Sequence, residues 1–362
     1  MKVTYQMFFA NVTDLPDDEF YRQELRLAEL AEPLGFDGIW CVEHHFDGEY
    51  SMCPDNLMVL AHLAARTERI TLTTGGVILP WNDPLRVAEK ITLLDTISGG
   101  RAQLGVGRGL SKIEYDTFGI EMGEARDRFD QSFAIVLDAL RAGTVRANGP
   151  LYHQPEADLR PRPRAGLAET AVSIAMSDDS RAAAADVGVA IASFAQFPTE
   201  EHARVIGEYR KRFEDKHGRP APPPVMTDHI YCAADEEEAT RLSREHIIRH
   251  FMLTMRHYSF DKAGHFDSIK GYTSYAAMAD AMQQAGKQAA ADGYVAAQIT
   301  GTPEQIVARI KERIEAFGDY DQNFGFSYGG LPHHKIESSM RLFASEVLPE
   351  LDRLGIRATV AV

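Results

Sequence analysis

The sequence predicts an α/β fold, a (β/α)8 TIM barrel with insertions, in a single domain over residues 1–362. Eight short apolar segments alternate with segments of helical periodicity, which is typical of a parallel sheet covered by helices. The length suits this fold, since barrels with insertions run from roughly 200 to more than 400 residues. A doubly wound open sheet is expected to place phosphate-binding glycines after its first strand, and residues 10–14 contain no glycine.

The first half of the chain contains four predicted strand–helix units. Short apolar runs predict strands at 3–9, 39–42, 70–79 and 102–106. Apolar residues at helical spacing predict helices at 18–34, 54–67 and 124–141. Between the third and fourth strands, Asp83 and Pro84 favour the start of another helix and Gly99 favours its end.

The second half begins with a long connection at 143–169 that is rich in proline and arginine. Four further strands are predicted at 172–175, 189–192, 225–232 and 323–328. Helices are predicted from Ser177, at 199–217, at 235–255, from Thr302 and at 336–354. Pro349 should kink or break the last of these helices, because proline removes a backbone donor.

Residues 256–300 break this alternation and form the largest predicted insertion, before the last helix–strand unit. The segment has no clear strand, and glycines and aromatic residues punctuate it. Segments of this length inside a compact barrel are commonly lids or binding loops. Two interpretations stay open, namely a lid over the site and a surface excursion with its own helices.

The composition excludes several classes of function. Lysine and arginine number 38 and aspartate and glutamate 53, so the formal net charge is -15, which argues against nucleic acid or an anionic membrane as a partner. Three widely spaced cysteines argue against disulfides and a cysteine zinc site. We see no signal peptide and no apolar run of membrane-spanning length, so we expect a cytoplasmic protein.

The end of the second predicted strand carries the strongest candidate for catalysis. The segment Glu43-His44-His45-Phe46 follows an apolar run directly. In a parallel barrel, the carboxyl ends of the strands carry the active site. Imidazole titrates near neutral pH, so His44 is a candidate proton-transfer group. The alternative is a structural histidine whose hydrogen bonds are satisfied in the core.

Two segments suggest a site for an anion at the same end of the barrel. Glycines around Arg108, which follows the fourth strand, leave its guanidinium at the barrel mouth, where it suits a phosphate. Ser177 and Ser180 begin the helix after the fifth strand, where free N–H groups attract anions. The alternatives are an arginine paired with a surface carboxylate and an ordinary serine cap.

Two other features are less specific. Gly75 and Gly76 interrupt the third strand, which indicates a bulge, a strained peptide or close approach by a ligand. His246 and His250 lie four residues apart on a predicted helix, but no third ligand is apparent. We therefore predict no metal site.

Taken together, these segments resemble the bacterial luciferase-like flavin monooxygenases over nearly the whole chain. Each segment is weak alone, but their order is specific to the superfamily. The matching segments are residues 42–46, 74–80, 93–101, 108–110, 118–119, 301–304 and 340–351.

The resemblance implies a barrel that binds reduced FMN at its mouth and uses dioxygen to oxidise an organic substrate. It implies that His44 is the acid/base and that Gly75 and Gly76 form a non-prolyl cis peptide beneath the flavin ring. The residues it implies for cofactor binding are Gly75, Gly76, Arg108, Gly109, Leu110, Met176, Ser177 and Ser180. There are departures, since Gly107 replaces a reactive cysteine and Met176 a glutamate of the luciferase catalytic chain. Light emission is therefore not implied.

The sequence thus predicts a two-component monooxygenase, with reduced FMN supplied by a separate, transiently bound reductase. The reaction is either hydroxylation or insertion of oxygen beside a carbonyl, and the lid insertion would exclude water. An apolar substrate pocket is expected to be lined by Phe8, His45, Phe46, Trp81 and Tyr328. Two alternatives stay open, a deazaflavin-dependent hydride-transfer enzyme and a non-catalytic flavin-binding partner subunit. The resemblance also implies a homodimer.

Overall fold

The computed structural model describes residues 1–13, 15–267 and 269–357. The strands are β1 (Val3–Met7), β2 (Gly38–Cys41), β3 (Thr71–Thr74), β4 (Val77–Ile78), β5 (Ala102–Gln103), β6 (Gly105–Gly107), β7 (Thr144–Asn148), β8 (His153–Asp158), β9 (Val172–Ile174), β10 (Ala190–Phe194), β11 (Val225–His229) and β12 (Asp321–Gly325).

Helices follow most of the strands, as the sequence predicts. They are α1 (Asp17–Ala31), α2 (Asn56–Ala64), α3 (Pro84–Ile97), α4 (Lys112–Thr117), α5 (Ala125–Ala142), α6 (Asp178–Val187), α7 (Thr199–His217), α8 (Glu236–His257), α9 (Thr273–Ala285), α10 (Lys287–Ala297), α11 (Pro303–Phe317), α12 (His333–Leu342) and α13 (Leu348–Arg353). A π-helical turn at Phe343–Val347 joins the last two, so the helix is interrupted just before Pro349. None of the described helices is long and apolar enough to cross a membrane.

Ten of the strands form one curled parallel sheet. Its order is β4-β6-β9-β10-β11-β12-β1-β2-β3-β5, and every pairing within it is parallel. The first and last strands of the chain, β1 and β12, are neighbours. Strands β1 and β2 are buried along their whole length, and helices such as α1 and α11 bury one apolar face each. This is an α/β architecture in which many strand ends meet at one place.

The third and fourth predicted strands are each broken into two pieces, which is a correction to the sequence prediction. Gly75 and Gly76 separate β3 from β4, and the amide of Gly75 donates a 2.6 Å hydrogen bond to the carbonyl of Cys41. A Cβ atom on Gly75 would lie 3.1 Å from that oxygen, and one on Gly105 would collide with the carbonyl of Thr74. Glycine is needed here because the neighbouring backbones approach too closely for a side chain.

The connection at 143–169 also differs from the prediction, because β7 and β8 form an antiparallel hairpin within it. The residues of β8 are mostly exposed and polar. The strand therefore lacks the apolar alternation by which a sequence reveals a strand.

The insertion at 256–300 contains the two helices α9 and α10, as one of the two interpretations expected. It packs onto α8 and α4 through an aromatic cluster. The fully buried rings of this cluster include Phe266 and Tyr272 from the insertion and Tyr115 from α4. The insertion is thus joined to the loop after β6, where the candidate arginine lies.

One buried ion pair fastens α11 to the sheet. Arg313 donates to both carboxylate oxygens of Asp228, at 2.5 and 2.8 Å, and both side chains are buried. Asp228→Ala is expected to lower the free energy of unfolding by about 3–5 kcal/mol, because it leaves a buried charge without its partner. Chemical denaturation measures this loss. In the control, Glu312→Ala removes an exposed partner of Arg309 on the same helix and should cost at most about 1 kcal/mol.

Candidate active site

A cavity opens where the carboxyl ends of the parallel strands meet, and α8 and the insertion cover it. Its wall includes residues that follow β1, β2, β3, β6 and β9. Nine of the fourteen predicted site residues lie in this wall: Phe8, His44, Gly75, Gly76, Arg108, Gly109, Leu110, Met176 and Ser180. Segments far apart in the sequence therefore converge on one place, because the strands of the curled sheet are parallel and their carboxyl ends lie at the same edge.

His44 is held in one orientation. Its Nδ1 lies 3.2 Å from Oε1 of Glu114, and its ring packs against those of Phe8 and Tyr50, with centroids 5.9 and 5.0 Å away. A carboxylate accepts hydrogen bonds, so it favours the tautomer that carries the proton on Nδ1. His44 Nε2 is then the nitrogen that remains for proton exchange with a ligand.

Glu114 also belongs to the candidate site, although the sequence does not reveal it. It lies on the six-residue helix α4, its side chain is 1% exposed, and it also accepts the backbone N–H of His45 at 2.8 Å. Burial raises the pKa of Glu114, but the contacts with His44, His257 and the backbone N–H of His45 lower it by a larger amount. The net shift of this pKa is therefore downward. The carboxyl group therefore stays ionised and can orient His44. The one feature of the sequence that pointed to Glu114 is its position shortly after the fourth predicted strand.

The anion site is centred on Arg108, which is 8% exposed. Its Nη1 donates to the carbonyl of Gly271 at 2.9 Å, and its guanidinium lies 4.3 Å from the ring centroid of Tyr272. Its Nη2 is buried and has no hydrogen-bond partner among the described residues. A buried donor without a partner is costly, so the geometry fits an anionic group entering the cavity. Among the ion pairs of the described residues, none involves Arg108, so the alternative of a surface ion pair is not realised.

The two serines at the start of α6 are close to each other. Ser177 caps the helix by accepting the N–H of Ser180 at 3.3 Å, and the two Oγ atoms are 2.9 Å apart. Ser180 lines the cavity, whereas Ser177 lines an adjacent cleft that shares Met176 with it. The ion pair between Asp178 and Arg181 offsets one of the negative charges beside this helix end.

The prediction of a cis peptide at Gly75 and Gly76 is wrong for this structure. Among the described residues, the only cis peptide bond is the one between Arg160 and Pro161. A non-prolyl cis bond costs about 2.5–4 kcal/mol, and the trans backbone already brings both glycines into the cavity wall.

Four residues predicted to line an apolar pocket lie outside the cavity wall. His45 packs edge-on against Phe118, at 4.9 Å between ring centroids. Trp81 stacks on the same ring, and Phe46 is 54% exposed with a φ of 64°. The backbone turns sharply after His44, so successive side chains point away from the cavity. Tyr328 is buried behind His229, at 4.8 Å between ring centroids.

His229 and His250 take the place of these residues in the wall. Burial lowers the pKa of His229 to about 3 and that of His250 well below its ordinary value. Both rings are therefore neutral near pH 7, and each has a buried Nδ1 without a partner among the described residues. His246 points elsewhere, since its Nδ1 lies 2.8 Å from the carbonyl oxygen of Gly329. The two histidines of α8 thus do not share a ligand.

Comparison with known proteins identifies the family. The luciferase-like monooxygenase family matches residues 1–320. The chain belongs to this family. It is 24% identical over 360 residues to the alkanal monooxygenase alpha chain of Photobacterium leiognathi. The aligned region covers 97% of this chain and 99% of that protein. The predicted resemblance is confirmed, and the family supports an oxygenase enzyme.

Solved structures agree with this family assignment. The monooxygenase RslO1 from Streptomyces bottropensis is 26% identical, with a TM-score of 0.73 over 97% of this chain and 99% of that one. The oxygenating constituent of 3,6-diketocamphane monooxygenase from Pseudomonas putida, in complex with FMN, shares the fold at 18% identity, with a TM-score of 0.75 and coverages of 97% and 99%. The coenzyme F420-dependent tetrahydromethanopterin reductase of Methanopyrus kandleri also shares it, at 19% identity and a TM-score of 0.68, with coverages of 96% and 99%.

Proposed function

We propose that this luciferase-like monooxygenase binds reduced FMN in the cavity and uses dioxygen to oxidise an apolar organic substrate. The observation that carries this proposal is the buried Nη2 of Arg108, which has no hydrogen-bond partner among the described residues. Arg108 lines the same cavity as His44 and Glu114. A cavity that contains both a fixed cation and an oriented imidazole suits a ligand that has a phosphate tail and a reactive ring.

We also interpret the ten-stranded sheet as a (β/α)8 barrel. Strands β3 and β5 pair in parallel, and so do β4 and β6. If β3 and β4 are counted as one broken strand and β5 and β6 as another, eight strands remain. Since β12 pairs with β1, these eight strands form a ring with the cavity at its carboxyl end.

Different residues of the cavity wall suit the phosphate and the ring of FMN. The guanidinium of Arg108 and the hydroxyls of Ser177 and Ser180 would hold the phosphate, next to the positive end of α6. Gly75 and Gly76 present bare backbone to the cavity, which leaves room for a flat ring. Gly109, Leu110 and Met176 complete this side of the wall.

Reduced FMN supplies the electrons that activate dioxygen. The chain itself contributes a proton-transfer group, His44 Nε2, because Glu114 holds the other ring nitrogen. The insertion contributes Phe260, Met278 and Met282 to the wall, so it excludes water while oxygen is activated. This is the lid interpretation of the insertion.

The substrate we propose is an apolar molecule with one polar group. The apolar part of the wall includes Phe8, Phe251 and Met255, together with the neutral imidazoles of His229 and His250. Such a wall binds an aliphatic or cyclic carbon skeleton and offers one or two hydrogen bonds to its carbonyl or hydroxyl. Hydroxylation and insertion of oxygen beside a carbonyl both suit it.

Three further parts of the proposal concern partners and location. We propose that a separate reductase supplies the reduced FMN through transient contact, that the chain forms a homodimer, and that it acts in the cytoplasm. A second candidate function is hydride transfer with a deazaflavin, which the shared fold of the F420-dependent reductase favours.

An oxygen electrode separates the two functions. Reduced FMN and the protein are mixed in air with a long-chain aliphatic aldehyde or a bicyclic ketone as the probe. We expect saturable FMN binding and one dioxygen consumed for each molecule of oxidised product. Saturable binding of a deazaflavin, with substrate oxidation that continues without dioxygen, would instead support hydride transfer.

A further inference from the structure

Behind His44, two histidines and two carboxylates lie in a row. Glu114 Oε1 lies 3.2 Å from His44 Nδ1 and 3.8 Å from His257 Nε2. The other nitrogen of His257, Nδ1, lies 3.2 Å from Oδ2 of Asp47. The side chains of Glu114 and His257 are 1% and 0% exposed. One carboxylate is therefore placed between two imidazoles, of which only His44 reaches the cavity.

The ring of His257 is fixed so that one nitrogen faces Glu114. It stacks on Tyr50 with centroids 4.1 Å apart. Burial raises the pKa of Asp47, but His257 and Arg256 lower it more, to about 2, so this carboxylate is ionised and accepts a proton-bearing Nδ1. His257 Nε2 is then a bare, buried nitrogen that has no partner among the described residues. A proton is the smallest group that could bind to this nitrogen and link it to Glu114.

The buried negative charge of this group favours a proton between His257 Nε2 and Glu114. With both carboxylates ionised and both histidines neutral, the buried group carries two negative charges, and Arg256 balances only the outer one. A proton shared along the chain reduces this charge. Because both imidazoles contact the same carboxylate, protonation of one disfavours protonation of the other.

We propose that Glu114 is the centre of a proton relay between His44 and His257, in which Asp47 is a positioning residue that presents His257 Nε2 to Glu114. When His44 Nε2 takes a proton from the cavity, the proton on His44 Nδ1 passes to Glu114 and from there to the bare Nε2 of His257, which becomes an imidazolium held between two carboxylates. The reverse sequence returns a proton to the cavity. No electrons move, and the number of protons is conserved.

The consequence for catalysis rests on the proposed function. If the insertion excludes water from the cavity, a proton that His44 takes up during turnover cannot pass to solvent and must be stored nearby until it is returned. His257 meets this need, since its bare Nε2 lies on the far side of Glu114 from the cavity. The charged and titratable groups around His257 are Asp47, Glu114, His44, Tyr50 and Tyr258, with Arg256 and Glu49 one contact further out.

The test is nitrogen-15 NMR of the histidine rings in the flavin-free protein across a pH titration. In the unmodified chain we expect His257 to carry its proton on Nδ1, and we expect its curve to show a second inflection where His44 titrates. In Glu114→Gln the shared inflection should disappear. In Asp47→Asn the asparagine amide can donate to Nδ1, so the proton should move to Nε2.

Glu49→Gln is the matched control, because Glu49 pairs with the same Arg256 but does not touch His257. Its curves should equal those of the unmodified chain. If Asp47→Asn behaves like this control, or if His44 and His257 titrate independently in the unmodified chain, there is no relay. The unmodified chain alone decides the question if a variant does not fold. The measurement needs no flavin, so a failure of FMN to bind would overturn the proposed function and not the relay.

Discussion

Replacing Arg108 by alanine is expected to weaken FMN binding about 100-fold or more. A paired, charge-assisted contact to a phosphate contributes about 3 kcal/mol, and every 1.4 kcal/mol is a factor of about ten in affinity. The guanidinium is already buried and already positioned by Gly271 and Tyr272, so little ordering is needed when the phosphate arrives. Quenching of flavin fluorescence during titration with protein measures the dissociation constant.

Riboflavin is the control ligand, because it has the ring of FMN without the phosphate. Its affinity should change less than about threefold in Arg108→Ala, since no phosphate contact is lost. Arg146→Ala is the control variant, since this arginine is exposed on the hairpin. Arg108→Lys should give an intermediate loss, because an ammonium keeps the charge but not the fork of donors. Equal losses of affinity for FMN and for riboflavin would show that Arg108 acts only by holding the insertion in place.

Much of the fold could be predicted because its signals are local. Helix α7 begins at Thr199 and ends at His217, as predicted, since Pro198 precedes it and Gly218 ends it in a left-handed conformation. The positions of His44 and Arg108 just after strand ends, and of Ser180 in the first turn of the helix after β9, follow in the same way. The parallel order of the curled sheet then brings these strand ends together without any further information from the sequence.

What could not be predicted depends on contacts between distant segments. A glutamate on a short helix is typical of a protein surface, and only its burial against His44, 70 residues earlier, places Glu114 in the candidate site. The directions of His45 and Phe46 depend on a left-handed residue after the strand, which no apolar pattern reveals. His229 lines the cavity and Tyr328 does not, and the ring of His229 lies between contacts to Tyr328 and to His250 of α8, which are distant in the sequence.

Replacing His44 by alanine is expected to lower kcat by about 10²–10⁴-fold, the usual contribution of a positioned general acid or base. The affinity for FMN should change little, because the residues that we propose for the phosphate, Arg108 and Ser180, are other members of the cavity wall. Oxygen consumption and product formation with a turned-over aldehyde or ketone measure kcat. His62→Gln is the control, since His62 lies on α2 with its side chain 43% exposed, and it should leave kcat unchanged.

Three outcomes decide whether His44 transfers a proton or only shapes the cavity. If it transfers a proton, added imidazole should restore part of the activity of His44→Ala, and the pH dependence of kcat should flatten in that variant. Glu114→Gln should then lower kcat less than His44→Ala does, since it keeps the imidazole but removes the charge that orients it. Should His44→Ala retain full kcat with an unaltered pH profile, the catalytic group must be sought among the other imidazoles of the wall, His229 and His250. Their low pKa values would then have to be raised by the bound ligand before either could act as an acid.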